Sequence, residues 1–293
     1  MSILLKRESR ILIQGITTNE GRQQTSLMLE NKSEIVAGVS PGRYGQEVMG
    51  VPVYDKVSEA FKRHEVDLAV VFVPKNAVTS AVEESIAAEI PLIIICTGDI
   101  PVTETIKIKN SARTAGVTLI GPASAGILVP GQSKAGTISG EYVLPGNVGV
   151  VARTIGNENK LCQSLYKEEL GESAIISLGG SDIIGTGFVE ILEAFEEDEN
   201  TEVVVIGGEK RGRLEEDAAR YIEESKYSKP VLAYILERDI EDHHTQEKEK
   251  MLREAGVTVV DDIWEVGRII RESTVEEEVK EKEVREEEKE EEE

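Results

Sequence analysis

Histidine is almost missing from this chain, with three in 293 residues, at His64, His243 and His244. Chemistry that needs an imidazole therefore has few places to go, and zinc or iron sites are not expected. Cysteine is as scarce, since only Cys96 and Cys162 occur and both lie in apolar segments. That excludes a disulfide framework or a Cys-rich metal site and fits a reducing, cytoplasmic compartment. No apolar run approaches the roughly 20 residues of a membrane span, and the opening "MSILLKRESR" lacks the apolar stretch of an export signal. A soluble, unexported protein without membrane contact is expected. Cations are also in the minority, 33 Lys and Arg against 56 Asp and Glu, for a formal charge of −23. Such a surface offers no general footing for nucleic acid.

The negative charge is uneven. Residues 273–293 hold twelve Glu against three Lys and one Arg, a net −8 that leaves −15 on the rest. This run has almost no apolar residues and reads as a solvated acidic tail. Ahead of it, short β-branched runs at 11–13, 34–39, 68–73, 92–96 and 117–120 alternate with segments of helical pattern. Continuous apolar strands between helices predict a parallel sheet covered on both faces. The pattern breaks into the Gly-, Pro- and Ser-rich stretch 121–147, then resumes with runs at 148–152, 173–178, 202–207, 230–235 and 257–260. The expected architecture is α/β, two doubly wound domains in series, the first Rossmann-type and the second flavodoxin-like.

In such sheets ligands bind beyond the carboxyl ends of the strands, so the informative residues follow each run. After the first run, "QGITTNEG" has Gly15 for a tight turn and Gly21 for close helix packing, but no middle glycine of the dinucleotide fingerprint. Thr17, Thr18 and Asn19 instead offer donors beside a helix start, which favours anions. After the second run, Arg43 stands in "SPGR" where an NAD site would carry an acid, and it suits a phosphate on a ribose. The fourth and fifth runs are followed by "CTGDIP", with Cys96, Thr97 and Gly98, and by "GPASAG", with Pro122. Each loop alone reads equally as a turn; four at one sheet edge point to a nucleotide-type ligand, and an NAD-binding sensor or oxidoreductase stays open as an alternative.

The ordered series "QGITTNEG", "GVSPGRYGQEVMGVPVYDKVSEA", "VFVP", "CTGDIP", "AGVTLIGPASAG" and "VPG" closely resembles the alpha subunit of succinate-CoA ligase and related NDP-forming acyl-CoA synthetases. The resemblance implies a coenzyme A-binding domain over 1–126, a connecting extended segment over 127–146, a ligase-type domain over 147–272 and the acidic tail over 273–293. It implies that Gly15, Thr17, Thr18, Asn19, Glu20, Arg43, Cys96, Thr97, Gly98 and Pro122 line the groove for coenzyme A or acyl-CoA. It also implies an ATP-grasp beta subunit as partner, holding the nucleotide and its Mg. The family's "GPNCPG" is here "GPASAG", which alters the thiol end of the groove.

In that family a phosphoryl group passes through a histidine on a loop resembling P-x-G-K-x-x-G-H-A-G-A. Here the residues after "PVLAYI" are "LERDIEDHHTQEK", shorter and acidic, leaving His243 and His244 as candidates and Glu209 as the carboxylate that would orient one of them. The first phosphate cradle, "SRSGT", stands as "ARTIG" with Thr154 and Gly156; the second, "GGDPIPG", stands as "GGSDIIG" with Gly179 and Gly180. The expectation is a coenzyme A-binding, alpha-subunit-like protein impaired in phosphohistidine transfer; an active acyl-CoA ligase subunit is the alternative. His64, at an expected helix end, reads as structural.

Overall fold

The computed structural model describes residues 4–236 and 241–273. The acidic tail lies, from residue 274 onward, outside the described residues. Among those residues no helix is long and apolar enough to cross a membrane.

Val and Ile are stiff at χ1 and pack well on a pleated surface, and their runs become the strands. The first sheet contains β1 (Arg10–Gln14), β2 (Glu34–Val39), β3 (Glu47–Val48), β4 (Val51–Tyr54), β5 (Leu68–Val71), β6 (Leu92–Ile95) and β7 (Thr118–Ile120). Their order is β3-β4-β2-β1-β5-β6-β7, parallel apart from the β3 edge. The crossovers are α1 (Asn19–Glu30), α2 (Val57–Phe61), α3 (Val78–Ala87) and α4 (Val102–Ala115). The sheet grows outward in both directions from β1 and β5, so a crevice opens where the connections diverge. Side chains alternate as a two-sided sheet requires: Ile11 and Ile13 join one buried cluster with Met28, while Leu12 joins another with Val57 and Ala60.

The second sheet has β8 (Gly126–Val129), β9 (Ser133–Gly136), β10 (Pro145–Ala152), β11 (Glu172–Ser177), β12 (Val203–Glu209), β13 (Val231–Leu236) and β14 (Thr258–Val259). The order β14-β13-β12-β10-β11-β8-β9 gives five parallel strands in the flavodoxin-like arrangement. The extended connecting segment supplies β8 and β9, an antiparallel hairpin laid on the free edge of β11. Around the sheet pack α5 (Ile155–Lys167), α6 (Phe188–Glu197), α7 (Leu214–Ser225) and α8 (His243–Glu254). Helix α6 shows why these form: Phe188, Ile191, Leu192 and Phe195 recur at helical spacing and are all buried. Each contributes on the order of 1.5–3 kcal/mol by leaving water.

The two domains are sewn together by loops. The Gly121 N–H donates to the Leu178 carbonyl at 3.0 Å, Gly180 N–H to Ala123 O at 3.2 Å and Gly185 N–H to Gly121 O at 2.8 Å. The Lys109 ammonium donates to the Ile184 carbonyl at 2.7 Å. On the opposite flank Ser33 and Lys134 exchange two hydrogen bonds, the hydroxyl donating at 2.7 Å and accepting at 2.9 Å.

Two carboxyls break the apolar pattern. Glu158 shares the buried stripe of α5 with Leu161, Cys162 and Leu165, and is fully buried without an ion pair among the described residues. Burial pushes it up from 4.5 to about 7, with the Ser177 hydroxyl pulling back. Glu172 at the start of β11 is also pushed up to about 7 by burial, although it accepts the Leu144 N–H at 3.2 Å. Between about pH 4.5 and 7 the folded chain therefore holds protons that the unfolded chain has released, so stability falls as pH rises through that window. The limit is about 3 kcal/mol for each carboxyl at roughly 1.4 kcal/mol per unit. Urea midpoints are expected to drop between pH 5 and pH 8, and Glu158→Gln to flatten the slope; a wild-type midpoint that is level across this range contradicts it.

Candidate functional site

At the rim of the first sheet, the chain leaves β1 through Gly15 in the left-handed region, φ +81°. A Cβ there would lie 2.8 Å from the Phe72 carbonyl oxygen, and one on Gly21 only 2.2 Å from the Gly15 carbonyl oxygen. The two outer glycines of the fingerprint thus let α1 start directly against the β1 turn. Thr18 is the N-cap of α1, accepting the Gly21 N–H at 2.9 Å while its own hydroxyl donates to Gly15 O at 2.8 Å. Thr17 donates its hydroxyl to Ser40 Oγ at 2.9 Å, tying the β1 exit to the β2 exit. Both threonine hydroxyl protons are used inside the protein, and Asn19 and Glu20 are exposed at the helix start.

Arg43 is exposed beyond β2. Its backbone N–H and that of Tyr44 both donate to Asp55 Oδ1, at 2.9 and 3.0 Å. Asp55, which the sequence did not single out, fixes the turn that presents the guanidinium. Beyond β6, Cys96, Thr97 and Gly98 are half-buried. Thr97 donates to the Val73 carbonyl at 2.7 Å. Burial pushes the Cys96 thiol up, with Glu20 adding to the shift, which favours its neutral form. Gly98 faces Ala123, whose Cβ is 3.2 Å from where a Gly98 Cβ would stand. Pro122 is buried, its carbonyl oxygen 2.2 Å from the position of a Gly179 Cβ. It belongs to the joint between the domains. His64 has a structural partner, the Tyr54 hydroxyl at 2.8 Å.

Gly98 borders Ala123, whose carbonyl accepts the Gly180 N–H at 3.2 Å, so this rim adjoins the second sheet. There a cleft of about 330 Å³ is lined by Arg153, Gly180, Asp182, Glu209, Lys210, Arg211, Gly212 and Leu236. Arg153 is buried; its guanidinium donates to the Ser181 carbonyl at 3.1 Å and lies 3.9 Å from the Glu209 carboxylate. Thr154 is the N-cap residue of α5, and Gly156 is exposed in its first turn. Asn157 ties this helix start to β12 by donating to the Gly208 carbonyl at 3.0 Å.

His243 opens α8, and Asp242 caps that helix by accepting the Thr245 N–H at 3.1 Å. Both histidines therefore sit on a helix start. His244 Nε2 is 3.2 Å from the carbonyl oxygen of Gly212 and 3.9 Å from Glu216. Lys248, one turn further on, was not legible as a site residue. Its side chain is wholly buried and reaches the same loop.

Comparison with known proteins follows the same two-part division. A CoA binding domain model matches residues 6–98, and a CoA-ligase model matches residues 147–265. The chain is 42% identical over 235 residues to succinate-CoA ligase (ADP-forming) subunit alpha 2 of Archaeoglobus fulgidus, covering 80% of this chain and 81% of that one. It is 34% identical over 286 residues to subunit alpha 1 of the same organism, covering 92% and 98%. It is 35% identical to a subunit of an ADP-forming sulfoacetate-CoA ligase from Bilophila wadsworthia, over 80% and 81%. Among solved structures, ATP citrate lyase from Methanothrix soehngenii, in complex with citrate and coenzyme A, shares the fold with a TM-score of 0.80 at 20% identity. The match covers 92% of this chain, which spans 50% of that larger one.

The approach of α1 to the β1 turn allows a direct check. Gly21→Ala places a methyl against the Gly15 carbonyl and should lower unfolding stability by about 1–3 kcal/mol through overpacking. A urea midpoint equal to wild type would mean the two segments are not this close.

Proposed function

The chain belongs to the succinate-CoA ligase alpha-subunit family, and from that premise we propose that it binds coenzyme A or acyl-CoA on the first rim but is impaired in phosphohistidine transfer. Coenzyme A carries phosphates at one end and a thiol arm at the other. Arg43, the α1 start at Asn19 and Glu20, and the turn without a middle glycine suit the phosphate end. Cys96, Thr97 and Gly98 suit the arm, which would run toward Ala123 and the cleft. Arg43 in the place of a ribose-binding acid disfavours NAD.

The observation that carries the second half of the proposal is the helix at Asp242–Thr245. A phosphoryl carrier must leave one partner and reach another, which a glycine-rich loop permits and a capped helix start does not. Glu216 beside His244 also opposes an incoming phosphoryl group. In this reading Glu209 no longer orients a transferable imidazole; it balances Arg153. The partner is an ATP-grasp beta subunit holding nucleotide and Mg, and the complex works in the cytoplasm.

One observation favours a second reading, in which the chain is an active ligase subunit. His244 Nε2 lies 3.2 Å from the carbonyl of Gly212, a residue of the cleft wall, so its ring is at the edge of the phosphoryl path.

Arg43→Glu is expected to weaken coenzyme A binding at least tenfold, about 1.4 kcal/mol, by removing a phosphate contact and adding repulsion. Calorimetry showing no binding by the unaltered chain at millimolar coenzyme A would refute the rim assignment. With radiolabelled ATP and the beta partner, no acid-labile label should appear on this chain; label that disappears in His244→Ala establishes the second reading instead.

A further inference from the structure

We infer that Lys248 is a positioning residue for the cleft, holding the Glu209–Gly212 turn so that the backbone N–H and guanidinium of Arg211 face an oxyanion of the phosphoryl type. This rests on the second reading above, which puts the cleft on the phosphoryl path. Lys248 stands in the middle of α8 with no side-chain exposure. An ammonium so buried requires several acceptors, and four are present. Lys248 Nζ is 2.7 Å from the Glu209 carbonyl oxygen, 2.8 Å from Glu215 Oε2, and 3.3 Å from the carbonyls of both Lys210 and Gly212. The other oxygen of Glu215 accepts the Glu209 N–H at 2.8 Å. The last residue of β12 is thus gripped at both its N–H and its carbonyl by one buried ion pair.

This grip orients the turn. In a trans peptide the C=O and the following N–H point in opposite directions. Drawing the carbonyl of residue 210 toward α8 turns the Arg211 N–H the other way. Arg211 N–H has no hydrogen-bond partner among the described residues, and Lys210, Arg211 and Gly212 line the cleft. A backbone N–H without a partner, beside guanidinium groups, suits an anion. Arg153, its side chain 8% exposed, forms the facing wall.

A purely structural role predicts something different. The buried stripe of α8 is Thr245, Lys248, Glu249 and Leu252, three polar positions where an ordinary amphipathic helix would be apolar. Replacing a buried ion pair by apolar residues of like volume is often neutral or stabilising, so stability alone does not require Lys248.

The test uses inorganic phosphate as the probe on the full chain, by titration calorimetry. Lys248→Met should weaken phosphate binding at least tenfold while coenzyme A binding stays unchanged, and Lys248→Arg should restore part of it. If Lys248→Met lowers the melting temperature, the double variant Lys248→Met, Glu215→Leu should recover it without recovering phosphate binding. Phosphate bound by either Met variant as tightly as by wild type overturns the role of Lys248. An unaltered chain that takes up coenzyme A but no phosphate overturns the cleft reading as well, while leaving the rim assignment standing.

Discussion

The backbone hydrogen bonds between residues 121–123 and 178–185 decide where every other part of the site can lie. They join the exit of β7 to the exit of β11, so the rims of the two sheets face each other. The approach is close enough that glycine is required. A Cβ on Gly179 would lie 2.2 Å from the Pro122 carbonyl, and one on Gly185 would lie 2.0 Å from the Leu119 carbonyl. With this seam in place, Gly98 of the first rim and Gly180 of the cleft both border Ala123. The "GPASAG" motif lies in the seam itself: its backbone makes the contacts, and the Ser124 hydroxyl adds a bond to the Ser177 carbonyl at 2.5 Å.

Buried charge is used in two different ways. Lys248 and Glu215 meet at 2.8 Å and satisfy peptide groups around them, so the desolvation of each is offset by its partner and by the turn. Glu158 and Glu172 have no ion-pair partner among the described residues, and burial pushes both up to about 7. The first arrangement fixes a loop at one edge of the site. The second places a proton-dependent load on α5, the helix whose start ties back to Gly208.

The sheets were largely legible because continuous β-branched runs have few other uses. The second apolar run coincides with β2, and the strand-helix alternation predicts two doubly wound domains, whose strand orders the structure supplies. Boundaries failed where tertiary contacts override pattern: β14 is two residues long, and β10 begins at Pro145, inside the stretch read as a connection. Gly15, Thr17 and Arg43 were visible because loops after parallel strands carry function. Asp55 was not, since its task is to hold a turn a dozen residues earlier in the chain. Lys248 was hidden for a related reason. Its partners lie more than thirty residues away in sequence, and a lysine in a charged helix looks solvated until the helix is packed. The only available signal was its place on the face that also carries Leu252.

The hairpin β8–β9 precedes β10 in the chain but completes its pairing only on β11. As the polypeptide leaves the ribosome, these strands are made well before the neighbour that covers their edge, and an uncovered edge invites pairing with other chains. Helix α1 packs on β9, and Ser33 already bonds to Lys134. The first half thus holds the outer strand of the hairpin, and the β8 edge is the one that β11 closes.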